Sequence, residues 1–188
     1  MRVAIHQPER FPYMGFFDKM KSSDLFIILD DVQYTKNNWQ NRNRFLNKNN
    51  VEEFFTVQVE KNANKKHIKD VLTVNGPWRS KNPKKIKQNF NIDIEHMFQY
   101  KKLIDINMES IRWGAHQLNI NTPILLSSTL NISTSGSQRL ADICSNVNAT
   151  EYISGDGGKA YLDESLFTCK VTYHKPDIKN PYTVLQNV

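Results

Sequence analysis

Apolar residues near the start of the chain fall into two short runs, Arg2 to Ile5 and Leu25 to Leu29. Between them lies a helix-like stretch, Tyr13 to Lys21, that ends before Ser22-Ser23. The continuity of the second run predicts a strand covered on both faces, as in a parallel sheet. Each run gives way to polar, ionisable residues, His6-Gln7-Pro8 after the first and Asp30-Asp31 after the second. A strand, helix, strand unit whose strands end this way predicts a site along one sheet edge.

The middle of the chain changes period. Glu53 to Val59 alternates loosely, Ile68 to Val74 carries Val71, Leu72 and Val74, and Asn75-Gly-Pro77 is a turn signal; together they predict an inserted antiparallel element around residues 45–100. Trp78 to Phe90 reads as a basic helix with Pro83 as a break or start. Ile104, Met108, Ile111, Ala115 and Leu118 form the stripe of an amphipathic helix packed on a core. Thr122 to Leu126 reads as a strand ending in Ser127-Ser128. Ser135 with Gln138 fits a capping box for a helix whose Leu140, Ile143, Cys144 and Val147 face inward. Tyr152-Ile153 is a short strand ending in Ser154-Gly-Asp-Gly-Gly158. A helix through Tyr161, Leu162 and Phe167 follows, and Lys170 to Tyr173 is a last strand ending at His174.

This alternation predicts the α/β class, a three-layer, mostly parallel Rossmann-like sheet in a single domain over residues 1–188, with every strand's carboxyl end along the same edge. His6, Asp30-Asp31, Ser127-Ser128, the Ser154 to Gly158 turn and His174 all fall at those ends.

Composition narrows the function. With 39% hydrophobic and 23% charged residues, the chain reads as an ordinary soluble globular protein. No apolar run approaches the roughly 20 residues of a membrane span, and Met1 leads directly into a strand, so a cytoplasmic protein is expected. Cys144 and Cys169 lie far apart with no Cys-x-x-Cys pair, which implies neither a disulfide framework nor a cysteine zinc site. The net charge of +6 is spread over Lys61 to Lys69, Arg79-Ser-Lys81 and Lys84 to Lys87. A nucleic-acid binder concentrates such charge among stacking aromatics, so a small anionic substrate is the expected partner, and no nucleic acid.

Four groups of residues carry candidate chemistry. Pro8 stops the first strand and fixes the direction of His6 and Gln7; the imidazole could serve as acid, base or phosphate ligand, or as a satisfied structural histidine. Asp30 and Asp31 alternate faces, so one carboxylate at most enters a cleft to hold Mg²⁺ or a substrate amine; both could instead cap a turn. In Trp39-Gln-Asn-Arg-Asn-Arg44, an extended backbone points Arg42 and Arg44 the same way, with Gln40, as suits a diphosphate or carboxylate; a solvated edge strand fits equally. Ser154, Gly155, Gly157 and Gly158 bring backbone N–H groups to a turn where an anion could sit, without the Lys-Ser/Thr of a P-loop or the spacing of a dinucleotide fingerprint. His67, His96 and His116 show no ligand spacing and imply no metal site of their own; whether Asp30 or Asp31 holds a metal stays open.

Val3-Ala-Ile-His-Gln-Pro8, Pro12-Tyr-Met-Gly-Phe-Phe-Asp-Lys19, Asp30-Asp-Val-Gln33, Gln40-Asn-Arg-Asn-Arg44 and Tyr152-Ile-Ser-Gly-x-Gly-Gly158 with Tyr161-Leu162 resemble the WbqC-like family, in order along nearly the whole chain. Members occur in gene clusters for O-antigen and other surface polysaccharides, and glycine addition to an amino sugar is among the activities proposed for them. The resemblance therefore implies a transferase acting on a nucleotide-linked sugar. Carried over by motif are Gly15, Asp18 and Asn43, and, as substrate contacts, Gln7, Tyr13, Gln33, Asn41 and Tyr161 beside the residues above; His6, Asp30 and Asp31 are the implied catalytic set. Family members usually continue past the position of Val188, which implies a C-terminus cut short, with part of the site or an oligomer contact beyond it. A homo-oligomer is compatible with this. The layout of the first strands is also similar to nucleotidyltransferase-like folds, although Pro12-Tyr-Met-Gly-Phe16 lacks their His-x-Gly-His. That similarity keeps open a ligase using ATP with Mg²⁺ as cofactor; a non-catalytic glycan- or protein-binding component of the same pathway is the third reading.

Overall fold

The computed structural model describes residues 1–176 and 180–188. In chain order its main elements are β1 (Arg2–His6), α1 (Met14–Lys21), β2 (Leu25–Ile28), β3 (Arg42–Leu46), β4 (Glu52–Thr56), α2 (Trp78–Phe90), α3 (Leu103–Gln117), β5 (Ile124–Leu126), α4 (Gly136–Asn146), β6 (Glu151–Gly155) and β7 (Lys170–His174). Contacts divide the chain into two compact units. The first gathers Met1–Gln7, Gly15–Asp30 and the stretch from Ile120 through β7; the second holds Pro8–Met14, Asp31–Asn119 and the C-terminal end.

The first unit is built on a five-stranded sheet in the order β5-β2-β1-β6-β7, every neighbouring pair of which is parallel. Val3, Ala4 and Ile5 of β1 and Phe26, Ile27 and Ile28 of β2 are buried, as their unbroken apolar runs require of strands covered on both faces. Alternation divides them between two helices. On one side Val3, Ile5, Ile27 and Tyr152 pack with Ile143 and Cys144 of α4. On the other, α1 lays Phe16 edge-on against Phe26, 5.0 Å between ring centres. The result is helix, sheet, helix. Helix α1 stops where Ser22 and Ser23 donate their hydroxyls to the carbonyls of Lys19 and Met20, taking over acceptors that a further turn would use.

The second unit contains the antiparallel element, the hairpin β3–β4, in which Phe45 and Phe55 stack with ring centres 5.6 Å apart. The stripe on α3 is buried at Ile104, Met108, Ile111 and Ala115. Helix α2 runs from Trp78 through Pro83, which is buried inside it and is neither the break nor the start expected there. Among the described residues no helix is long and apolar enough to cross a membrane.

Three further local expectations need correction. Residues 68–74 form no strand: Ile68–Asp70 is a turn of 3-10 helix, and Leu72 and Thr73 make single bridges to Lys102 and Val59. The helix expected through Tyr161 and Phe167 is replaced by two short 3-10 segments, Asp156–Ala160 and Glu164–Leu166; Asp163 caps the second through Ser165. The capping box at Ser135 does not close, because Asp142 takes hydrogen bonds from both Gln138 and Thr134, leaving Gln138 pointed along the helix and not back at its start.

Candidate functional site

In chain order the five parallel strands of the first unit run third, second, first, fourth, fifth, so strand order reverses between β1 and β6. Ligands of open α/β sheets bind outside the carboxyl ends of the strands at such a reversal. His6 closes β1 there, and Gly155 closes β6.

The His6 ring is half-buried and stands edge-on to Phe16 at 4.9 Å. Its Nδ1 lies 2.9 Å from the Gln7 carbonyl, which can only accept, so Nδ1 carries the proton of the neutral ring. Lys19 of α1 is buried beside the strand and donates to the Ile5 carbonyl at 2.8 Å. Burial first and the Lys19 charge second disfavour the imidazolium and lower the His6 pKa from 6.5 to about 3. His6 is therefore a neutral imidazole near pH 7, and a weak base. Gln7 beside it is exposed.

Asp30, two residues past the end of β2, stands in a different setting. Its carboxylate accepts from the Ser128 backbone N–H at 2.9 Å and from the hydroxyls of Ser127 and Ser128 at 3.2 and 2.7 Å. The acid thus ties the carboxyl end of β2 to that of β5, where Ser127-Ser128 follow. Asp31 belongs to the second unit and is half-buried.

At the end of β6, a Cβ added to Gly155 or Gly157 would meet nothing within 4 Å, so ligand atoms have an open approach to this backbone. Gly158 differs: a Cβ there would lie 2.2 Å from Ser154 Oγ. Gly158→Ala is expected to cost about 1–3 kcal/mol through overpacking, with much of the loss recovered in Ser154→Ala/Gly158→Ala. Urea unfolding checks this, and equal loss in single and double variants would refute it. Tyr161, beyond the turn, is 72% exposed.

One constellation at this edge escaped the sequence reading. His174 closes β7, and its Nε2 lies 2.9 Å from Asp18 Oδ2 on α1. Both residues had been noted, His174 as a strand end and Asp18 within a motif, but nothing in their spacing pairs them.

The remaining candidates lie in the second unit, several of them holding backbone. Asn43, buried, donates to the carbonyls of Arg10 and Phe11 at 3.0 and 2.8 Å. Thr183 and Ser110 bond the Phe11 carbonyl and N–H. This clamp holds Phe11 at φ 41°; every other non-glycine residue of positive φ among those described is an asparagine. Asn41 donates to the Val57 carbonyl, while Gln40 accepts from Thr35 N–H through its side chain and from Asn107 through its carbonyl. Gln33 donates to the Asn64 carbonyl, and Tyr13 bridges to Thr183. Arg42 and Arg44, half-buried on one face of β3, are stacked: Arg42 over Phe54, and Arg44 over Trp39 and Tyr182 while paired with Glu52 at 3.2 Å. Arg10 is wholly buried over the rings of Phe98 and Phe11, and its three guanidinium nitrogens have no hydrogen-bond partner among the described residues.

The first unit is thus a Rossmann-like parallel sheet flanked by helices, with two histidines and an open glycine turn at the carboxyl ends of its strands. The chain belongs to the WbqC-like protein family, whose model matches residues 7–188. It is similar to the uncharacterized protein Rv1507c of Mycobacterium tuberculosis strain ATCC 25618 / H37Rv, at 29% identity over 202 residues, covering 98% of this chain and 86% of that protein. No solved structure matches the chain.

Proposed function

We propose that this protein is an enzyme of surface-polysaccharide assembly, such as O-antigen biosynthesis, that modifies an amino sugar carried on a nucleotide, by forming an amide with glycine or another small acyl group. The observation that carries the reading is the reversal of strand order between β1 and β6, which supports a ligand crevice at His6 and Gly155 in a chain of this family. Neutral His6 accepts a hydrogen bond from the sugar amine through Nε2 and orients it, with Gln7 at its rim. The Gly155 to Gly158 turn receives the anionic part of the substrate on its open backbone. A base as weak as His6 leaves the proton of the amine to another group.

The test is mass spectrometry of a panel of nucleotide-linked amino sugars incubated with the protein, glycine and ATP. A mass gain of one glycyl group on one sugar is expected, and it falls away in a folded His6→Gln protein. A panel that returns unchanged from the intact protein overturns the reading.

A further inference from the structure

We infer that His174 is the catalytic base at this edge and that Asp18 is its positioning residue; the inference rests on the amino-sugar reading for its substrate, though not for its geometry. Strand register supplies the first argument. Gly155 pairs with His174, and the β1–β6 register, Ala4 with Ile153, carried two residues on, sets His6 opposite Gly155. His6, Gly155 and His174 therefore form one row across three neighbouring strands. In parallel strands such a row points to one face, and here both histidines meet α1, His6 at Phe16 and His174 at Asp18. Strands lie about 4.8 Å apart, so the outer two members of the row are separated by roughly 10 Å of backbone with a glycine between them. A Cβ on that glycine would meet nothing within 4 Å. Two imidazoles thus flank a slot whose floor has no side chain, wide enough for a substrate amine to touch one ring while facing the other.

The partners of the two rings give the second argument, because they divide the labour. His6 faces a cation, Lys19, and a carbonyl. His174 faces a carboxylate. With Nε2–H donated to Asp18, the neutral His174 ring carries its lone pair on Nδ1, and among the described residues Nδ1 has no hydrogen-bond partner. The His174 side chain is 18% exposed, sheltered yet reachable. A carboxylate that holds one ring nitrogen fixes the tautomer and direction of the other, and its negative charge lies beside the positive charge the ring gains on taking a proton.

In the reaction, the sugar nitrogen attacks the carbonyl carbon of a carboxyl group activated as a thioester or phosphoric anhydride. The new C–N bond forms as one N–H proton passes to His174 Nδ1. The bond from that carbon to sulfur or phosphate oxygen breaks, the leaving group departs with the electron pair, and His174 returns the proton to it.

The experiment has two arms, each on the full chain with folding verified by circular dichroism. In the first, the five histidines are acylated with diethyl pyrocarbonate and followed singly by peptide mass spectrometry. Asp18→Asn is expected to slow His174 several-fold while leaving the exposed His67, His96 and His116 unchanged, and Asp18→Glu recovers part of the rate. An unaltered His174 rate in Asp18→Asn overturns the assignment. In the second arm, on a substrate pair that the protein turns over, His174→Gln lowers kcat by about 10² to 10⁴ with KM little changed, and Asp18→Asn gives a smaller loss of the same kind. Retained turnover in His174→Gln also overturns it. Should the intact protein turn over no pair, the amino-sugar reading fails by itself, and the acylation arm still decides whether Asp18 activates His174.

Discussion

Replacing Arg10 with methionine is expected to stabilise the protein, by about 1–3 kcal/mol, even though it removes a charged side chain packed among aromatic rings of the second unit. The guanidinium is wholly buried, and its three nitrogens have no hydrogen-bond partner among the described residues. Burial alone lowers its pKa to about 9. An uncompensated buried charge costs several kcal/mol. The rings of Phe98, Phe11 and Phe55, at 4.6, 5.0 and 6.0 Å, offset part of that, since each such contact contributes about 0.5–2 kcal/mol. Methionine keeps most of the stem that packs there and discards the charge. Because the folded pKa lies below the unfolded one, the cost is fully present below about pH 9 and fades as the pH rises toward the range where an exposed guanidinium titrates. Thermal unfolding at pH 7 decides the matter; a fall in Tm on Arg10→Met means that the ring contacts outweigh desolvation.

Acid is expected to weaken the first unit through His6, starting between pH 7 and pH 5, above the range where ordinary carboxylates titrate. The folded ring takes up a proton only near pH 3, the unfolded one near 6.5. The unfolded state therefore binds more protons between those values, so the contribution of His6 to stability is complete above pH 6.5 and is lost as the pH falls toward 3. At one pKa unit per 1.36 kcal/mol, the loss reaches about 2 kcal/mol at pH 5. Urea unfolding at pH 7 and pH 5 measures it. His6→Gln, which keeps a polar group and removes the titration, is expected to flatten the difference; a variant that loses as much as the native protein places the proton elsewhere.

The strands were legible because Leu25 to Leu29 and Val3 to Ile5 are continuous apolar runs, and a segment buried on both faces leaves no other pattern. The stripe of α3 was legible for the same kind of reason. The motif Gln40 to Arg44 shows where this reading stops. Alternation correctly sets Arg42 and Arg44 on one face and buries Asn41 and Asn43. The density of amides that suggested ligand chemistry also serves to hold backbone at Phe11 and Val57, and amides bind carbonyls and substrates with the same groups. The His174–Asp18 pair was invisible because its members are 156 positions apart. Only the strand order brings them together. Two 3-10 turns stand after β6 where a helix was expected, and Asp163 caps the second of them through Ser165, a local contact that no apolar period announces.

The interleaving of the two units bears on the order of assembly. β1 and β2 are tied by contacts across 22 positions, whereas Asp30 reaches Ser127 across 97 and Met1 reaches Thr150 across 149. The cost of closing a loop grows only by about 0.6 kcal/mol per doubling, but the search for distant partners slows folding far more than it weakens the product. The strand, helix, strand hairpin at the N-terminus can therefore form while the chain is still emerging from the ribosome, and it must wait, with one flank of β1 unpaired, until β6 has been synthesised. That lateral flank of β1 is thus, for most of translation, an open template for strand pairing, and the capture of β6 by β1 is the step that joins the two halves of the sheet and brings Gly155 alongside His6.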